Sequence, residues 1–236
     1  MKHRQMIISI GRECGCGEYE IGRKLAEYYD IPLYDRNIIE ILAERTGQDP
    51  AKLEKLEETV ARHILPVRKN GFAAQREELL GKMTRQDQLF LLEKDLINEL
   101  AGRESFVIIG RAANAFLAGN PNTLRLFVYA SEGFKLPRVK ERYGLNSDLA
   151  ALRKMRQVDQ ARREYFEYYS DLTWGSSDAH DFMIDSGVFG IEGTVETIIN
   201  MAERKFKSPL LTQTEAVPVE HGRRNSAAVG LAVPAL

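Results

Sequence analysis

The stretch IISIGRECGCGEYEIGRKLAEYY, from Ile7 to Tyr29, constrains this chain more than any other. An apolar run ends at a glycine, and a loop with two further glycines follows. Ile21, Leu25 and Tyr28 then recur at helical spacing with charges between them. Met6–Ile10 therefore reads as a buried parallel strand, and the segment after the loop as an amphipathic helix. Glycines at 11, 15 and 17 permit positive φ and let a ligand approach the backbone amides. Such amides, with the positive end of the following helix, form an anion site. The stretch predicts a phosphate cradle built from Gly11, Arg12, Gly15, Cys16 and Gly17. The competing reading is a glycine-rich connection with no ligand; the strand before it and the helix after it favour the cradle.

Ile31–Tyr34, Phe106–Ile109, Leu124–Val128 and Asp181–Asp185 read as four more short strands. Asp87–Leu100, Lys135–Tyr143, Ser147–Tyr169 and Val195–Lys207 read as helices. Strands alternating with helices predict an α/β fold, a parallel sheet with helices on both faces. Ligands of such sheets bind beyond the carboxyl ends of the strands. The glycine loop, Asp35-Arg36 and Gly110-Arg111 all fall there. Residues 37–101 read as a mobile helical insert on the acceptor side, with Asp49-Pro50 opening one of its helices. Residues from about 134 to 170 read as lid helices, and residues 1–207 as one domain. The polar, aperiodic residues 208–236 read as a disordered tail. Asp87–Leu100 is apolar enough for a homodimer contact, and equally for packing on its own sheet.

Composition narrows the function. With 33 basic and 34 acidic residues and a net charge of −1, nothing favours a nucleic acid polymer or a membrane surface as partner. The two cysteines, Cys14 and Cys16, are too close in sequence for an ordinary structural disulfide, which fits a cytoplasmic protein. Two thiols without clustered histidines make no metal site, so no protein-held metal is expected. The apolar run near the N-terminus is shorter than the ~7–15 residues of a signal peptide core. No segment approaches the ~18 apolar residues that span a bilayer.

IGRECGCGEYEIGRKLAE, IPLYDRNII, VIIGRAANAFL, the arginine-rich segment around Arg156–Arg163 and FMIDSGVFGIEGTVETI together resemble the cytidylate kinase-like proteins. These are relatives of the nucleoside monophosphate kinases in the P-loop fold. The likeness covers most of residues 6–204. It implies a P-loop NTPase three-layer sandwich with a five-stranded parallel sheet in the order 2-3-1-4-5 and an arginine-rich lid. It also implies ATP with Mg²⁺ held through phosphates and water, and phosphoryl transfer from the triphosphate to CMP or a similar nucleoside monophosphate. Under that likeness Arg111 matches the arginine that grips the acceptor phosphate, and Asp35 and Arg36 fall on the acceptor side. Arg156, Asp159, Arg162 and Arg163 match an R-x-x-D-x-x-R lid. At ~100° per residue, Arg156, Asp159 and Arg163 share one stripe of a helix, with Arg162 at its edge.

Three positions depart from the kinase pattern. Glu18 stands at the loop lysine, Glu20 at the hydroxyl that helps hold Mg²⁺, and Ala112 at the aspartate after Arg111. Two readings of Glu18 compete. It turns away and serves the helix dipole from the first turn, or it faces the phosphates and repels them. Arg12 is the best replacement cation, because a guanidinium can clasp two phosphate oxygens. Arg23 and Lys24 read as a solvated helix face. Asp35 reads equally as an acceptor contact and as the cap of the next helix. Two functions follow: a monophosphate kinase, or a nucleotide-binding regulatory module with little or no transfer.

Overall fold

Runs rich in isoleucine, valine and phenylalanine pair side by side, all parallel, because the chain returns through a helix after nearly every strand. The computed structural model describes residues 5–53 and 84–207. In chain order the elements are β1 Ile7–Arg12, α1 Glu18–Tyr29, β2 Leu33–Tyr34, α2 Asn37–Thr46, α3 Arg85–Ala101 and β3 Phe106–Ile109. There follow α4 Ala113–Phe116, β4 Thr123–Tyr129, α5 Glu132–Tyr143, α6 Asp148–Tyr169, β5 Phe182–Asp185 and α7 Ser186–Lys207. The strand order is β2-β3-β1-β4-β5, so the expected order 2-3-1-4-5 holds. In register, Ile10 lies between Ile109 and Leu126.

Two apolar layers sandwich the sheet. On one side Ile8, Ile10, Val107 and Leu126 meet Ile21 and Leu25 of α1 and Ile198 of α7. On the other, Ile7, Phe106 and Ile108 meet Ile38 and Leu42 of α2 and Leu96 and Ile97 of α3. The apolar stripe of α3 is thus spent inside this chain, which is the second of the two uses its sequence allowed. No described helix is long and apolar enough to cross a membrane.

Caps explain most boundary shifts. Ser131 Oγ accepts from the Phe134 N–H, so α5 begins at Glu132 rather than Lys135. Thr84 and Asp87 form a reciprocal capping box at α3. Asp185 Oδ1 accepts from the N–H groups of Gly187 and Val188, which starts α7 nine residues before the expected Val195. Gly190 (φ 66°) then breaks that helix. Asp49 Oδ1 accepts from the Ala51 N–H, as the expected start at Pro50 requires. Most of the expected insert helix and the whole 208–236 tail lie outside the described residues.

Candidate active site

A cleft of about 510 Å³ opens beyond the carboxyl ends of β1, β2 and β3. Five arginines line it: Arg12, Arg36 and Arg111 from the strand ends, Arg142 from α5 and Arg162 from α6. The cradle glycines divide by role. Gly15 and Gly17 both hold φ at 86°, where a side chain is strained. Gly11 stays within β1, contrary to a turning role; there a Cβ would stand 2.9 Å from Phe127 and 3.0 Å from His180. Its value is close approach rather than a turn.

Glu18 does not turn away. Its carboxylate is buried, facing Arg142 Nη1 at 3.4 Å and Arg162 Nη2 at 3.5 Å. Burial alone would push its acidity down, but Arg162, Arg12 and Arg142 outweigh that and hold its pKa below the ordinary carboxylate value. Glu18 is therefore ionised inside the cleft. Glu20 is turned outward onto Arg138 at 2.8 Å. A second carboxylate takes a cradle amide: the Cys14 N–H donates to Asp159 Oδ1 at 2.7 Å. Two acid side chains thus hold an amide and the guanidinium groups that an oxyanion would use. Cys14 and Cys16 are buried free thiols, their pKa values raised by burial.

Arg12 is half-buried against Gly110, and its buried Nε finds no hydrogen-bond partner among the described residues. Burial and the nearby Arg162 lower its pKa to about 10, so it remains a cation at neutral pH. Gly110, Arg111 and Ala112 run through three successive left-handed conformations (φ 77°, 58°, 51°). The two non-glycine members cost roughly 1–2 kcal/mol each, the kind of strain that marks functional turns. The turn aims the Arg111 guanidinium at buried Glu93 of α3 (2.6 Å) and at the Asp35 carbonyl (3.2 Å). Asp35 is not a helix cap: Arg36 occupies the N-cap of α2 without a side-chain bond, and Asn37 Oδ1 accepts from the Asp35 N–H. The Asp35 carboxylate and exposed Arg36 both border the cleft.

Of the four expected lid residues, Arg162 lines the cleft and Asp159 holds a loop amide, whereas Arg156 and Arg163 lie away from the cleft. Ala151, Met155, Val158, Arg162 and Phe166 form the inward face of α6. At ~100° per residue, Arg162 lies about 20° from Met155 and Asp159 about 40°, while Arg156 and Arg163 lie about 100° and 80° away. Arg156 is exposed and does not line the cleft. Arg163 is exposed and sits over the Trp174 ring at 5.5 Å. Apolar residues, not the motif's outer arginines, set which side of the helix faces in. Arg23 and Lys24 pair with Glu27 and Glu192 on the surface.

Other polar residues in and around the cleft carried no motif. Glu93 receives the Tyr165 hydroxyl at 2.8 Å as well as Arg111. The cue was an acid inside an apolar helical stripe. Beneath Gly11, Ser9 Oγ donates to Asn114 Oδ1, and Asn114 Nδ2 donates to the Leu126 carbonyl (2.9 Å) and meets His180 Nδ1. His180 is buried, and that burial lowers its pKa to about 4.

This architecture has known counterparts. A crystal structure of an uncharacterised protein from Eubacterium ventriosum superposes with a TM-score of 0.63 at 28% identity, covering 84% of this chain and 99% of that one. Shikimate kinase from Bacteroides thetaiotaomicron gives 0.49 at 15% identity, with 84% and 98% covered. Deoxyadenosine kinase from M. mycoides gives 0.42 at 13%, with 83% and 98% covered. Among curated proteins none matches the chain in sequence. The profile of the cytidylate kinase-like family matches residues 7–188, most of the chain, and with the sheet order and the strand-end cleft it establishes that this protein is a member of the cytidylate kinase-like family.

Proposed function

We propose that the protein is a phosphotransferase that passes a phosphoryl group from ATP to a nucleoside monophosphate, CMP or a similar one. The observation that carries this reading is the convergence of five guanidinium groups on one strand-end cleft, with the buried Nε of Arg12 unpartnered among the described residues. Phosphoryl transfer asks little covalent chemistry of a protein; positioning and charge stabilisation do most of the work. Arg12 and Arg162 sit nearest the cradle and would meet the donor phosphates. Arg36 and Arg111 border the acceptor side.

The residues suit a polyphosphate better than a directly bound metal. Glu20, at the hydroxyl position, is committed to Arg138. The Asp35 carboxylate serves no cap and no ion pair among the described residues, and it borders the cleft. Mg²⁺ would therefore be held by the phosphates themselves, with Asp35 reached through water. When bound, ATP supplies the phosphoryl group and Mg²⁺ neutralises its oxygens. The chain's own part is to exchange partners: Arg162 and the Cys14 amide leave Glu18 and Asp159 for the incoming oxyanion.

A second reading is a nucleotide-binding regulatory module without transfer. The presence of Glu18 among the cations favours it, since that carboxylate competes with every phosphate. A coupled assay of ADP formation with MgATP and a panel of nucleoside monophosphates separates the two. ADP release that depends on one monophosphate supports the kinase. Calorimetric binding of MgATP with no acceptor-dependent ADP supports the module.

A further inference from the structure

Three buried side-chain polar atoms lack a hydrogen-bond partner among the described residues: Arg12 Nε, Thr123 Oγ1 and His180 Nε2. Arg12 and His180 both line the cleft, and the phosphate chemistry above accounts only for Arg12. His180 is 5% exposed and lies at the inner end, below Gly11. Its surroundings there are aromatic and small: Phe166, Trp174 and Ala112 line the same end.

The hydrogen-bond chain fixes the His180 tautomer. The Leu126 carbonyl can only accept, so the Asn114 atom bonded to it is the amide nitrogen. That nitrogen has a second hydrogen, which faces His180 Nδ1. Nδ1 is therefore the acceptor, and in the neutral ring the proton sits on Nε2. His180 therefore holds a buried N–H donor at Nε2, not a base, on a ring that borders the cleft. A buried donor left unpaired costs about 1–3 kcal/mol, a cost that a ligand acceptor would remove. The neighbouring position after Arg111 is Ala112, so no acid there competes to read a base. Trp174, whose ring also carries Arg163, and the largely buried Phe166 border the same end, where they give a planar base apolar ring contacts.

Resting on the acceptor reading above, we propose that this inner chamber recognises the base of the acceptor: His180 Nε2–H donates to a carbonyl oxygen of a nucleobase whose ring lies against Trp174 and Phe166. The acceptor class is then a monophosphate with a keto base (uracil, cytosine or guanine) rather than adenine.

The test is titration calorimetry of the full chain with UMP, CMP, GMP and AMP, in wild type, His180→Asn and His180→Gln. Asparagine keeps an amide toward Asn114 but cannot reach the Nε2 position, whereas glutamine can place a donor there. At least one keto-base monophosphate should bind wild type roughly tenfold tighter than AMP, the factor one such hydrogen bond supplies. The advantage should vanish in His180→Asn and return in His180→Gln. AMP binding as tightly as the best keto base overturns the proposal from wild type alone, whether or not the variants fold. So does a keto advantage that survives His180→Asn. Failure of all four monophosphates to bind overturns it together with the acceptor reading, and is thereby distinguished from the other two outcomes.

Discussion

Replacing Glu18 with glutamine should tighten the binding of MgATP while lowering the stability of the free protein. Glutamine keeps the shape and removes the charge. In the free protein the carboxylate lies 3.4 and 3.5 Å from Arg142 and Arg162. Those contacts are long for ion pairs, and Arg142 is 45% exposed, so together they are worth only about 1 kcal/mol. Removing the charge leaves the largely enclosed Arg162 less compensated, so the total loss of stability should be roughly 1–3 kcal/mol. A phosphate that takes over Arg162 comes within a few ångströms of Glu18. One unit charge at ~4 Å costs about 4 kcal/mol at an effective dielectric near 20. The Arg162 that Glu18 now occupies is also freed. After partial cancellation, about 1–3 kcal/mol of net gain remains, so Kd should fall roughly 10- to 100-fold. Calorimetry reads the affinity and urea denaturation the stability. Unchanged or weaker binding in Glu18→Gln would refute the claim that this carboxylate competes with the ligand.

Three further outcomes follow from the same geometry. Glu93→Gln should destabilise the protein by about 3–5 kcal/mol in urea, because it strips the buried partner of Arg111; Tyr165→Phe should cost only about 1 kcal/mol. Stability should fall as pH drops from 6.5 toward 4: the folded His180 resists protonation down to about 4, whereas the unfolded ring takes up a proton near 6.5. That loss is on the order of 2 kcal/mol by urea denaturation, and His180→Gln should remove it. Glu18, whose pKa is lowered, adds a further loss only below the ordinary carboxylate value. Arg162→Ala should weaken MgATP binding at least tenfold more than Arg156→Ala, since Arg162 faces the cleft and Arg156 faces solvent.

Much of the frame could be read from the chain because buried parallel strands write themselves as short apolar runs ending in glycine. Ile7–Ile10 and Phe106–Ile109 do so, and each ends where the cleft begins. Polar contacts between distant segments left no such trace. The Asn114–His180 contact joins residues 66 apart, and Arg111–Glu93 joins residues 18 apart on two elements. Neither pair belongs to a local pattern. The facing of α6 differs from the expected stripe for a related reason. A spacing motif says which residues share a stripe, but the stripe that faces in is chosen by the apolar Met155, Val158 and Phe166. Glu18 was legible as an anomaly; its direction was not, because that depends on Arg142 and Arg162, more than 120 residues away.

The far end of α6 carries a mechanical consequence. Tyr169 stacks flat on Phe90 of α3 with centroids 3.7 Å apart, its hydroxyl bonds Asp87, and Tyr165 bonds Glu93. The last turns of the long helix are thereby riveted to the insert, while its first turns rest on a smaller apolar patch around Val139 and Cys14 and on the Lys140–Asp148 ion pair. Any turning of this helix against the sheet would therefore pivot at the tyrosines, so that Ala151 would move farthest and Arg162, close to the pivot, least.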